Sequence, residues 1–179
     1  MAEGSTGTIQ IQVEELAQLF NLLDPFPFRE RDLDKDAEEF IVGWAREFPR
    51  TAPLRILIHL PKNEAEGEAA RDVGPALARY FQYRAETISR DLKELFRVGW
   101  RSLAVGIAVL AVCVVAGRLI VRAMGGTELS SVLSESLLLL GWVANWRPIE
   151  IFLHDWWPVA RRRDLYRRLA AAKVELAPR

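Results

Sequence analysis

The sequence predicts an α+β membrane protein in which a two-helix transmembrane hairpin is joined to a small cytoplasmic domain of the β-α-β type. Two long apolar runs lie in the second half of the chain, at 102–121 and 132–157. Basic residues precede the first run and follow the second, but none lies between them beyond Arg122. The first half is rich in charge and contains short segments with strand and helix periodicity.

The predicted cytoplasmic domain covers residues 8–101, after an N-terminal segment, residues 1–7, that we expect to be disordered. In its first predicted strand glutamines alternate with apolar residues, namely Ile9, Ile11 and Val13. The run LRILIHL at 54–60 is apolar on both faces, as in the central strand of a sheet. A possible return strand at 173–176 would make this a sheet of three strands instead of two.

Two helices are predicted in the same domain. Asp34 or Asp36 can cap the first, whose apolar residues are spaced three and four apart: Ala37, Phe40, Ile41, Trp44, Ala45 and Phe48. The second is long and is predicted to begin near Pro75, with an apolar side formed by Leu77, Phe81, Ile88, Leu92 and Leu95. No stop signal separates it from 102–121, so we expect one continuous helix from the domain into the bilayer.

The first transmembrane helix is predicted at 102–121, because about 20 residues are needed to cross a hydrocarbon core of about 30 Å. An external turn follows at 122–131. The second transmembrane helix is predicted at 132–157, with a kink near Pro148 because proline removes a helical hydrogen bond. Residues 158–179 form the predicted basic cytoplasmic tail.

Basic flanks set the expected orientation, since cytoplasmic ends of membrane helices carry an excess of Lys and Arg. The flanking residues are Arg90, Lys93, Arg97, Arg101, Arg161, Arg162, Arg163, Arg167 and Arg168. Trp100, Trp156 and Trp157 would lie at the same interface as anchors of an aromatic belt. We therefore expect a multi-pass protein of a bacterial type of inner membrane, with both termini in the cytoplasm.

Charged residues inside the apolar runs are predicted to form structural ion pairs: Arg118, Glu135, Arg147 and Glu150. An antiparallel hairpin would place Arg118 and Glu135 at one depth. Arg147, Glu150 and His154 are spaced to share one helix face. This cluster is either an interfacial group that fixes the depth of the helix or a site of proton, quinone or lipid-headgroup chemistry, with Glu150 and His154 as the ligand candidates.

A seam of mostly small residues runs along the first predicted span. Its members recur every seven residues and again three residues later: Gly99, Ser102, Gly106, Val109, Cys113 and Ala116. Small side chains let membrane helices approach closely, so the seam predicts tight packing. Its partner is either the second helix of the same chain or a neighbouring subunit.

Composition and motifs limit the function classes. The chain has 24 basic and 24 acidic residues, which argues against a nucleic-acid protein. A single cysteine and an isolated strand histidine, His59, predict no metal site. The acidic pair Glu38 and Glu39 lies where a helix begins and complements its dipole. No motif for catalysis or for a cofactor is present, so no catalytic residue and no cofactor are predicted.

The leading hypothesis is a non-enzymatic accessory or scaffold subunit that docks onto a larger membrane complex through its hairpin and its cytoplasmic domain. Its expected partners are the lipid bilayer and other membrane subunits, or further copies of itself in a homo-oligomer. One alternative is an enzyme or carrier component that uses Arg147, Glu150 and His154. The other is a membrane-tethered sensor or regulator.

Overall fold

The structure is a computed structural model that describes residues 7–21 and 32–179. These residues divide into two compact units. The first unit contains the described residues up to Ile88 together with Arg161–Arg179, and the second contains Ser89–Ala160. The described residues are mostly helical and form one small parallel sheet, which belongs to the first unit.

Three parallel strands form this sheet: β1 (Gly7–Gln12), β2 (Leu54–Leu60) and β3 (Lys173–Pro178). The central strand is β2, whose Ile56 pairs with Ile9 of β1 and with Val174 of β3. The prediction of a return strand beside the first two is confirmed, and this strand extends two residues beyond 173–176. Residues 1–6, most of the segment predicted to be disordered, lie outside the described residues.

Helix α1 (Lys35–Glu47) lies between β1 and β2 in the sequence. The predicted cap is present, because the Asp34 carboxylate accepts a hydrogen bond from the N–H of Asp36 at 2.9 Å. The predicted apolar face is only half covered, since Phe40 and Trp44 are 45% and 46% exposed. The spacing of apolar residues predicts which face of a helix is apolar, but it does not predict how much of that face the core covers. The buried residues are Ile41, Val42 and Ala45.

Helix α3 (Glu68–Ala123) follows the short helix α2 (Lys62–Ala65) and runs without interruption for 56 residues. The prediction of one continuous helix is confirmed, but its start near Pro75 is wrong. Pro75 fits inside the helix because Gly74 precedes it and lacks the Cβ that the proline ring would crowd. The buried side of α3 in the first unit consists of Val73, Ala76, Leu77, Phe81, Ala85 and Ile88.

A glycine turn ends α3 in the second unit. Gly125 and Gly126 have φ angles of 64° and 73°, in the left-handed region that favours glycine. The N–H of Gly126 donates a hydrogen bond to the carbonyl of Val121 at 3.1 Å, which completes a Schellman-type stop. Helix α4 (Glu128–Ala144) begins directly afterwards.

The second apolar run is not one regular helix. It consists of α4, Asn145 and then three consecutive segments: α5 (Trp146–Glu150), a π-helical turn (Ile151–Asp155) and α6 (Trp156–Ala170). The break lies at Asn145, three residues before Pro148 and near the predicted kink. Pro148 is the third residue of α5, where a backbone N–H would have no helical partner, so the proline costs no hydrogen bond there. Most basic residues of the predicted tail lie in α6.

One helix of the described residues, Ala69–Ala123, is long and apolar enough to cross a membrane by its length and composition. Helix α4 has 17 residues. At a rise of about 1.5 Å per residue it covers less than the roughly 30 Å of a hydrocarbon core. A second crossing would therefore need α4 together with α5.

Candidate functional site

The small-residue seam packs against the second arm of the same unit, the segment from α4 through the π-helical turn. A Cβ added to Gly99 would lie 3.0 Å from Ile151, and one added to Gly106 would lie 2.6 Å from Asn145. Gly99, Gly106 and Cys113 are buried, whereas the other three seam residues, Ser102, Val109 and Ala116, are half-buried. The sequence left two possible packing partners for the seam. In the structure the seam packs against the second arm of the same chain.

Two further glycines complete this packing. A Cβ on Gly117 would lie 2.7 Å from the hydroxyl of Ser134, and one on Gly141 would lie 2.7 Å from Leu110. Each arm thus supplies glycine where the other supplies a side chain. The sequence showed both glycines, but neither follows the seven-residue spacing of the seam.

Asn145 is the polar centre of this interface and was not predicted. It is only 6% exposed. Its side-chain amide donates hydrogen bonds to the carbonyl of Gly106 at 3.0 Å and to that of Gly141 at 2.9 Å. It therefore joins the two arms at the point where α4 ends, and a glycine at position 106 leaves the room that its side chain needs.

The antiparallel register places Arg118 and Glu135 at one depth but does not join them. Gly117 lies opposite Ser134, so the two charged residues are separated by only a residue or two along the axis, about 3 Å. Both side chains are exposed, and in the part of the chain that the structure describes neither forms a salt bridge. They point away from the interface between the arms.

Arg147 and Glu150 do form an ion pair, at 2.8 Å, and Arg147 also pairs with Asp155 at 3.0 Å. Asp155 therefore takes the place in this cluster that the spacing predicted for His154. The side chain of His154 is exposed and is not part of the cluster. The π-helical turn explains the change, because it adds one residue to the turn and shifts everything after it by one position. The indole N–H of Trp156 donates a hydrogen bond to the carbonyl of Phe152, a residue of this turn, at 2.9 Å.

The predicted interface anchors lie together at the end of the second unit opposite the glycine turn. Trp100 contacts Phe152 edge-on at a centroid distance of 5.4 Å, and Phe96 lies 6.2 Å from Trp156. Trp156 in turn contacts Trp157 at 5.8 Å. Trp100 is 64% and Trp157 51% exposed.

In the first unit, the carboxylate of Glu38 connects three helices. It accepts hydrogen bonds from the hydroxyl of Tyr80 at 2.6 Å, from the hydroxyl of Tyr166, and from the Arg84 guanidinium at 3.1 and 3.2 Å. Glu38 lies on α1, Tyr80 and Arg84 on α3, and Tyr166 on α6. The position of Glu38 near the start of α1 predicted only an interaction with the helix dipole, and no local pattern indicated its distant partners.

These contacts change the acidity of the groups involved. Burial raises the pKa of the Glu38 carboxyl, but the hydrogen bonds from Tyr166 and Tyr80 and the charge of Arg84 outweigh it, so the pKa lies below its usual value. Burial and the neighbouring carboxylate raise the pKa of the Tyr80 hydroxyl. Glu38 is therefore an anion, and Tyr80 a neutral donor, at neutral pH.

His59 is half-buried in β2, as expected, and Cys113 is buried in the seam. Within residues 7–21 and 32–179, no group of three or more His, Cys, Asp or Glu side chains lies close enough together to hold a metal ion.

Enlarging the seam should destabilise the second unit. In Gly106→Leu the new side chain meets Asn145 and displaces it from its two carbonyl acceptors, so we expect a lower thermal unfolding midpoint in detergent micelles, followed by circular dichroism. Ala108→Leu places the same side chain on the exposed side of α3 and should leave the midpoint unchanged. Equal effects of the two changes would show that the arms do not meet at Gly106.

The Glu38 network should make stability depend on pH. Because the pKa of Glu38 is lower in the folded chain than in the unfolded one, its stabilisation is complete above the unfolded pKa and is lost as the pH falls through the folded pKa. Chemical unfolding at about pH 7 and at about pH 3 should therefore show a smaller pH effect in Glu38→Gln than in the unchanged chain. The control is Glu39→Gln, outside the network, which should keep the full effect; if both variants behave alike, the network does not couple stability to protonation.

No protein-family model, no curated protein and no solved structure matches this chain. Its function has to be inferred from the geometry of the two units themselves.

Proposed function

We propose that the chain is a two-pass integral protein of an inner membrane that serves as a non-enzymatic accessory or scaffold subunit. The observation that carries this proposal is the apolar exterior of the second unit. Val112 is 68%, Val143 70% and Trp146 70% exposed. Soluble proteins rarely expose contiguous apolar patches beyond a few hundred Å². A lipid environment makes the same exterior favourable.

The exposed apolar side chains occupy both arms of the unit. On α3 they include Val105, Ile107, Val112, Val115 and Leu119, and on the second arm they include Leu129, Leu133, Leu139, Leu140, Trp142 and Leu153. Helices satisfy their own backbone hydrogen bonds, so both arms are suited to hydrocarbon. This supports a second membrane crossing by α4 and α5, in addition to α3, which is long and apolar enough to cross a membrane.

The proposed orientation has both termini in the cytoplasm. The aromatic contacts between Phe96 and Trp156 bring the two outer ends of the second unit to one side. The basic flanks precede and follow these ends in the sequence, and the glycine turn between the arms has no basic residue beyond Arg122. The excess of basic residues on cytoplasmic flanks supports the same assignment.

The interior of the second unit supports a packing role over a transport role. Its buried polar residues among those described are Ser130 and Asn145. The hydroxyl of Ser130 donates to the carbonyl of Thr127, and Asn145 donates to two carbonyls between the arms. Both use their hydrogen bonds for the helices themselves. The surface available for a partner is therefore the outer one, where Trp142 and Trp146 are exposed.

A second candidate function, an enzyme or carrier component, is favoured by the exposed cluster of Arg147, Glu150 and Asp155 beside a π-helical turn, a feature that occurs often at functional sites. Loss of the activity of the parent complex in Glu150→Gln and Asp155→Asn, at unchanged abundance, would favour this candidate over a scaffold.

Solubilisation of native membranes in a mild detergent tests the scaffold proposal. We expect the chain to migrate on native gels as a complex that contains a second membrane subunit or further copies of itself in fixed ratio. Trp146→Ala should weaken this complex on the order of tenfold, because a tryptophan that becomes buried at an interface often contributes much of the binding energy. Val112→Ala, on the outer side of α3, serves as the control for loss of apolar surface; recovery of a monomer alone would overturn the proposal.

A further inference from the structure

The first unit contains an open cleft of about 630 Å³ beside the Glu38 network. Helix α1 forms one side, with Lys35, Glu39, Gly43 and Arg46, and the other side carries Arg162 of α6. The remaining lining residues are Glu38, Val42, Arg84 and Tyr166. The volume is typical of a site for a small molecule or for the headgroup of a larger one.

The charges in this cleft are unbalanced. Four basic side chains and two carboxylates line it, and the Glu38 carboxylate is already occupied by Arg84 and two tyrosine hydroxyls. Across residues 7–21 and 32–179, Lys35, Arg46 and Arg162 form no salt bridge. Three cations therefore face a concave surface with only Glu39 to offset them, which favours an anionic ligand.

Two of the guanidinium groups are held in place by one aromatic ring. Arg84 and Arg162 each lie over the ring of Tyr166, with 5.8 Å between the guanidinium carbon and the ring centroid. Tyr166 is itself buried and is bound to Glu38. Ordering these side chains before a ligand arrives reduces the entropy that binding costs.

Gly43 provides an independent observation. It lies in the interior of α1, where glycine destabilises a helix by roughly 0.5–1 kcal/mol relative to alanine. A Cβ at this position would meet no atom within 4 Å, so packing does not require glycine here. What the missing side chain does provide is open space in the wall of the cleft.

We propose that this cleft binds a phosphate group, carried either by a soluble small molecule or by the headgroup of an anionic lipid. Guanidinium groups match the geometry of phosphate oxygens with paired hydrogen bonds, and a lysine ammonium adds a point charge. Phosphate binding at this place goes beyond the scaffold role, because it gives the first unit a ligand of its own. The two tyrosine hydroxyls and the occupied Glu38 carboxylate form the support of the site.

Two probes distinguish the sources. The full chain in a neutral detergent is titrated with inorganic pyrophosphate by calorimetry, and the chain reconstituted in phosphatidylcholine nanodiscs is compared with nanodiscs that also contain phosphatidic acid, using the fluorescence of a labelled lipid. Pyrophosphate binding indicates a soluble ligand, and binding to phosphatidic acid alone indicates a lipid. Failure of both probes to bind overturns the proposal.

Matched variants localise the binding. Arg162→Gln and Arg46→Gln should each weaken it on the order of tenfold, because each removes a charged hydrogen-bond donor. Arg167→Gln removes the same charge from α6 outside the cleft and should have little effect.

Gly43→Leu should abolish binding by filling the cleft, whereas Gly43→Ala should retain it. Equal losses for Arg162→Gln and Arg167→Gln, or unchanged binding in Gly43→Leu, would overturn the proposal even if the scaffold role holds.

Discussion

The close approach of two helix backbones is the constraint on which the second unit depends. Its exterior is apolar, and in the bilayer that we propose for it the lipid tails are as apolar as leucine, so the hydrophobic effect would not drive the two helices together. Packing and hydrogen bonds must do so. Glycine at 99, 106, 117 and 141 provides that packing, because a Cβ at any of these positions would lie only 2.6 to 3.0 Å from the facing arm. Asn145 adds hydrogen bonds at the same interface.

A single carboxylate has the corresponding role in the first unit. Glu38 binds side chains of α3 and α6, and α6 leads into β3, the strand that completes the sheet. Loss of its charge would free Arg84 and two tyrosine hydroxyls together. The network also explains the proposed ligand site, because it neutralises one carboxylate of the cleft and orders Tyr166 beneath two guanidinium groups. The stability of this unit and its proposed ligand binding therefore share the residues Glu38, Arg84 and Tyr166.

Sequence periodicity predicted those features that depend on neighbouring residues. The alternation in β1 and the small-residue seam follow from spacings of two, three or seven residues, and the apolar run of β2 and the continuity of α3 follow from uninterrupted stretches of sequence. Contacts over long separations were missed, as with Glu38, whose partners Tyr80 and Tyr166 are 42 and 128 residues away. No local pattern distinguishes such a glutamate from one that complements a helix dipole.

Local irregularities of the backbone account for the other differences. The kink was predicted near Pro148, and the break occurs three residues earlier, at Asn145, where a side chain satisfies carbonyls of both arms. The π-helical turn then exchanges His154 for Asp155 in the ion-pair cluster. One extra residue in one turn changes which side chains share a face, and sequence spacing assumes that no such residue is present.

The central claim is that the outer side of α3 between 102 and 121 faces lipid while its seam faces the second arm. Nitroxide labels placed one at a time in a Cys113→Ser chain, reconstituted in phosphatidylcholine bilayers, test it most directly. Collisions with oxygen should be frequent at Val105, Val112 and Leu119 and rare at Val109 and Ala116, and collisions with a water-soluble nickel complex should be rare at all five. Frequent collisions with the nickel complex at the outer positions would contradict the account, because they would place that surface in water.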